Sequence, residues 1–161
     1  MSQQIYHKTI AVDGVDIFYR EAGDSENPSL LLLHGFPSSS VMFNDLMIAL
    51  ADRYHLIAPD YPGFGFSAFP AKDQFEYTFQ NIALHIGNFV EAVGLKFFAI
   101  YLHDYGCPIG LRICLRHPEK IAGIIIQNGN AYIEGIGAEW DETRDYWENP
   151  TEEKKNVCLL F

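Results

Sequence analysis

Apolar and polar positions along the chain change period several times, and each change marks an element. Residues 8–12 and 15–20 alternate in the manner of strands, and Val12-Asp13-Gly14-Val15 joins them with an Asp-Gly turn, which predicts an N-terminal hairpin. After the polar, turn-rich residues 21–28, Leu30 to Leu33 form an unbroken apolar run, the pattern of a strand covered on both faces. Residues 41–52 place Val41, Leu46, Ile48 and Leu50 in a helical stretch opening after Ser38-Ser39-Ser40, and residues 55–60 read as another short strand. Thr78 is suited to cap a helix in which Phe79, Ile82, Ala83, Ile86, Phe89, Val90 and Val93 share one face. Gly94 closes that helix. His85 falls on it as a surface or packing residue.

Residues 97–102, aromatic-rich and apolar, predict a buried strand, and residues 109–116 predict a helix closing near His117-Pro118. Residues 121–128 give a further strand. Strands alternating with helices, several of them wholly apolar, specify an α/β fold with a mostly parallel sheet, made mixed by the first hairpin.

Between residues 102 and 109 the chain must turn sharply, and Asp104 sits on the turn with Gly106 two residues on. Two readings are open. An Asp between strand and helix commonly caps the helix. A strained strand-to-helix corner also holds one reactive side chain clear, and a carboxylate there can attack carbon to form an ester.

Composition narrows the classes. The 161 residues suit one domain, and 48% hydrophobic with 20% charged residues is a globular composition. The formal charge of −10 argues against nucleic acid or an anionic membrane as a partner. Cys107, Cys114 and Cys158 lack metal-ligand spacing and read as small apolar residues of a reducing compartment. The first eight residues carry no signal pattern, and no apolar run reaches membrane-span length, so a cytoplasmic chain is expected. Gly63-x-Gly65-x-x-Ala68 fits a dinucleotide fingerprint only formally, because no helix is expected to open from those glycines. No cofactor is expected.

Three motifs stand in order on three strand ends: His34-Gly35-Phe36-Pro37, Asp60-Tyr61-Pro62-Gly63-Phe64-Gly65-Phe66-Ser67, and His103-Asp104-Tyr105-Gly106. Together they resemble the α/β-hydrolase superfamily, in the Asp-nucleophile branch that holds epoxide hydrolases and haloalkane or haloacid dehalogenases. The resemblance covers residues 5 to about 130 and implies an α/β-hydrolase fold lacking its C-terminal strands. On this reading residues 1–130 are the N-terminal part of the core and residues 131–161 the start of a truncated lid. The apolar end, residues 157–161, reads as a helix cut in the middle.

The resemblance implies Asp104 as the nucleophile and the backbone N–H groups of Phe36 and Tyr105 as the oxyanion hole. His34, Gly35, Pro37, His103 and Gly106 would support them, with His34 and His103 orienting loop and corner through hydrogen bonds. It implies a small, apolar, electrophilic substrate attacked to give an alkyl ester. Departures from the dehalogenase pattern favour an epoxide hydrolase-like enzyme. Tyr105 stands where many haloalkane dehalogenases have a Trp, and Phe36 where many have an Asn. As a separate departure, Asn128 stands where some dehalogenases have the catalytic acid. Leu102 is larger than the small residue usual two positions before the nucleophile. The family's late histidine and acid fall beyond residue 161, and none of the six histidines takes that place. A dehalogenase-like hydrolase and a non-catalytic truncated relative are the alternatives; an esterase is disfavoured because position 104 is neither Ser nor Cys. A sheet short of strands would expose an edge, so a homo-oligomer or pairing through that edge is expected.

Overall fold

The computed structural model describes residues 4–152 and residue 154. Residues 157–161, read above as a cut helix, and Cys158 lie outside the described residues. The chain divides into two compact units, Met1–Gly129 and Asn130–Phe161.

The first unit is a six-stranded sheet in the order β1-β2-β4-β3-β5-β6. Strands β1 (Ile5–Val12) and β2 (Val15–Ala22) form the expected hairpin, longer than the alternation alone suggested, with Asp13 and Gly14 at positive φ in the turn. β2 runs antiparallel to β4 (His55–Pro59). β3 (Ser29–Leu33), β4, β5 (Phe98–His103) and β6 (Ile121–Gln127) are parallel. Leu33 pairs with Leu102 and His103 with Gln127 in the ladder. The register therefore brings His34, Asp104 and Asn128 together just past the carboxyl ends of three neighbouring strands, where open α/β sheets bind ligands.

Alternation along the central strands divides the core in two. Leu31, Leu33, Ile57, Ile100 and Leu102 face α2 (Phe79–Ala92) and α3 (Gly106–Arg116), while Leu30, Leu32, Leu56 and Ala58 pack with Phe43 and Met47 on the other face. Each such side chain contributes about 1.5–3 kcal/mol by leaving water. Helix α2 begins as expected, with the Thr78 hydroxyl accepting from Asn81 N–H. It buries Ile82, Ala83, Ile86, Phe89 and Val90. His85 packs edge-on against Phe75, as a packing residue should.

The stretch 41–52 differs from expectation. A 3-10 turn, Ser40–Phe43, precedes α1 (Asn44–Leu50), and the turn buries Phe43 and α1 Met47, whereas Val41 and Ile48 are exposed. The tighter first turn rotates the buried face away from Val41 and Ile48.

Among the described residues strand β6 is the last of the sheet, and its Ile124, Ile125 and Ile126 are exposed. No helix among the described residues is long and apolar enough to cross a membrane. The second unit holds two short 3-10 turns and α4 (Asp141–Glu148), with Trp140 and Trp147 in ring contact.

Candidate active site

β5 ends at His103 and α3 begins at Gly106, so the chain reverses within two residues, and Asp104 takes φ +50° to do it. That left-handed conformation costs a non-glycine residue about 1–2 kcal/mol, and Asp is among the side chains that tolerate it best. The carboxylate does not cap α3. The capping position is Tyr105, which makes no side-chain cap hydrogen bond. Instead Asp104 Oδ1 accepts from two backbone donors, Phe36 N–H at 2.8 Å and Tyr105 N–H at 2.7 Å. Oδ2 takes no hydrogen bond among the described residues. One oxygen of the carboxylate is thus fixed and the other left open, at the N-terminal, positively polarised end of an eleven-residue helix.

The supporting residues explain how strand and loop come so close. A Cβ on Gly106 would lie 2.4 Å from the Leu33 carbonyl oxygen, so only glycine lets β3 and the corner meet there. The large Leu102 fits because Gly110, one helical turn into α3, leaves room: a Cβ there would lie 2.2 Å from Leu102 Cδ2. Pro37 follows Phe36 through a cis peptide bond.

His34 is fully buried. Its Nδ1 lies 3.0 Å from the Gly35 carbonyl oxygen, which can only accept, so Nδ1 carries the proton. The ring stacks on Tyr61 with centroids 3.9 Å apart. Burial lowers its pKa, against opposing effects of the Gly35 carbonyl, Asp60 and Asp104, so the ring is held neutral. His103 differs. It makes no hydrogen bond among the described residues, and its Nδ1 is buried without a partner.

Aromatic rings border the corner. Phe36, 58% exposed, stacks on Tyr105 at 5.3 Å, and Phe79 meets Tyr105 edge-on at 4.9 Å. Burial and the neighbouring Asp104 both raise the Tyr105 phenol pKa. The same two causes raise the Cys107 thiol, so it stays protonated and is a poor nucleophile beside the carboxylate. The corner therefore presents a carboxylate oxygen in apolar, aromatic surroundings. Among the described residues no group of three or more His, Cys, Asp or Glu could share a metal ion.

Two contributors, the first two residues of the second motif, were given no site role from the sequence. Tyr61 donates its hydroxyl to the His34 carbonyl at 2.7 Å, and Asp60 accepts from Ser40 N–H at 2.7 Å. The local signal for both was weak: a polar pair just after β4 and before two glycines. The glycines themselves lie on turns, and the next helix starts only at Phe79, so no helix opens from them as a dinucleotide site requires.

Residues 28–150 match the alpha/beta hydrolase fold family. The chain is 45% identical over 145 residues to an uncharacterized hydrolase of Saccharomyces cerevisiae, covering 89% of this chain and 49% of that protein. It is 34% identical over 105 residues to haloalkane dehalogenase 2 of Mycobacterium tuberculosis, covering 65% of this chain and 36% of that one. Its structure superposes on epoxide hydrolase VrEH1 from Vigna radiata with a TM-score of 0.70 at 30% identity, covering 76% of this chain and 39% of that chain. The chain thus spans less than half of the length of each of these three proteins.

Proposed function

The chain belongs to the α/β-hydrolase fold family, and on that premise we propose that it is the N-terminal part of a cofactor-free hydrolase that works through an ester on Asp104. The observation that carries this reading is the divided carboxylate, with Oδ1 held by Phe36 and Tyr105 N–H groups and Oδ2 open. In the first step Oδ2 attacks an electrophilic carbon. A C–O bond to Asp104 forms while the ring C–O bond of an epoxide breaks, and the ring oxygen takes up a proton. In the second step water adds to the ester carbonyl, whose oxygen is Oδ1. The negative charge then develops on the atom that two backbone donors already hold, which is the geometry of an oxyanion hole at a nucleophile elbow. Collapse of this adduct restores the carboxylate and releases a diol.

The water-activating base is not supplied by His34, whose ring is buried and whose Nδ1–H is engaged. The aromatic border of Phe36, Tyr105 and Phe79 favours a small apolar substrate. The phenol and phenyl rings at positions 105 and 36 favour an epoxide. The likeness to a haloalkane dehalogenase supports carbon–halogen cleavage as the second reading.

Intact mass of the chain after incubation with small epoxides and with haloalkanes separates the two. Ring opening adds the whole mass of the reagent, whereas displacement adds it less the hydrogen halide. Ester should accumulate, since its hydrolysis lacks a base. No adduct with either reagent would reduce this chain to a non-catalytic relative.

A further inference from the structure

Residues 34–40 carry the Phe36 N–H and are fastened at both ends by two consecutive residues just past β4. At the near end the Tyr61 hydroxyl donates to the His34 carbonyl at 2.7 Å, and the two rings stack. At the far end Asp60 Oδ1 accepts from Ser40 N–H at 2.7 Å. Between the ends, Ser38 N–H closes a turn onto the Gly35 carbonyl at 3.1 Å. Asp60 and Tyr61 are both fully buried.

The glycine-rich segment that follows is built around the same carboxylate. Phe66 N–H donates to Asp60 Oδ2 at 2.8 Å, and the Ser67 hydroxyl donates to the Asp60 carbonyl at 2.7 Å while accepting from Phe18 N–H at 2.9 Å. Gly65 has φ +53°, and a Cβ there would lie 1.9 Å from Asp60 Oδ2, so any side chain would displace the carboxylate. The buried Arg20 guanidinium donates to the hydroxyl of Ser40, the residue whose N–H Asp60 accepts. A buried carboxylate with this many donors resists movement, because every displacement leaves charge or an N–H without a partner.

We infer that Asp60 and Tyr61 are positioning residues that hold the Phe36 N–H over Asp104 Oδ1, and that the Gly63–Ser67 loop exists to fix Asp60 rather than to bind a ligand. The inference rests on the reading of Asp104 given above. Preorganised donors stabilise a developing oxyanion only while they cannot swing away, so the clamp acts on the chemistry without touching substrate.

Tyr61→Phe removes one hydroxyl and keeps the ring. Asp60→Asn leaves one acceptor oxygen for the two N–H groups of Ser40 and Phe66. Each variant should shift the Phe36 amide proton upfield and speed its exchange about three- to tenfold, while the Ile100 amide in β5 stays unchanged. Hydrolysis of the Asp104 ester formed with styrene oxide, the step in which charge develops on Oδ1, should slow by about the same factor. A Phe36 amide that does not respond in either folded variant, with melting lowered alone, would overturn the clamp and leave a merely structural pair. If one variant does not fold, the other decides. Absence of labelling in the unmodified chain would instead refute the Asp104 reading, and the Phe36 amide would still judge the clamp.

Discussion

Gly35 and Asp104 approach so closely that a Cβ on the glycine would lie 2.5 Å from Asp104 Cβ and 2.8 Å from its Oδ1. Contacts under 3 Å between such atoms do not occur in folded proteins without movement of one of them. Gly35→Ala must therefore separate the loop from the corner and break the bond from Phe36 N–H to Oδ1. The expected cost in stability is about 1–3 kcal/mol, as for other forced insertions into packed sites. Labelling of Asp104 by an epoxide should fall further than stability does, which parallel urea melts and mass kinetics would show.

Leu102 and Gly110 make a second such pair, at 2.2 Å for the added Cβ. Gly110→Ala is expected to destabilise by about 1–3 kcal/mol through overpacking. Leu102→Ala alone should cost about 2–5 kcal/mol through a cavity. The double variant should be more stable than the sum of the two losses allows, because the new methyl enters the space that Leu102 vacates. Additive losses in chemical denaturation would contradict this account of how a large residue fits before the corner.

His34 gives a pH dependence of definite sign. Burial lowers its pKa from the ordinary 6.5, so the folded chain binds fewer protons than the unfolded one as pH falls. The stability associated with the neutral ring is complete above about pH 6.5 and is lost as pH drops through the lower native value, with a slope of at most about 1.4 kcal/mol per pH unit. His34→Gln should remove that part of the slope. Melts of both proteins across this range would show the difference, and parallel curves would contradict it.

Among the described residues strand β6 ends the sheet, with Ile124, Ile125 and Ile126 at 46%, 48% and 52% exposure. An exposed apolar edge is a template for pairing with another chain, and a lysine on it opposes the pairing. Sedimentation should show association that grows with concentration, weakened by Ile125→Lys. A monomer at all concentrations would refute it.

Much of this arrangement was legible in residue order. Unbroken apolar runs such as Leu30 to Leu33 marked strands buried on both faces, and the apolar stretch before Asp104, followed by Gly106, marked the corner. Local pattern carries such information because strand burial and tight turns are local demands. The burial of Phe43 and Met47 in place of Val41 and Ile48 was not legible, since a single 3-10 turn resets the phase of the helix. Nor was the clamp of Asp60 and Tyr61, whose partners Ser40 and His34 are 20 and 27 residues away in sequence. His103 was expected to hydrogen-bond like His34, but its ring finds no partner among the described residues.

Peptide mapping of the epoxide-treated chain tests the central claim most directly. The account predicts a single added mass on the peptide containing Asp104 and at that residue on fragmentation. Asp104→Asn should abolish it while stability stays within about 1 kcal/mol, since an Asn oxygen still accepts from both N–H groups and Asn tolerates positive φ. Equal labelling of both proteins, or a mass carried by Cys107, Cys114 or a histidine, would show that the open oxygen of Asp104 is not the nucleophile.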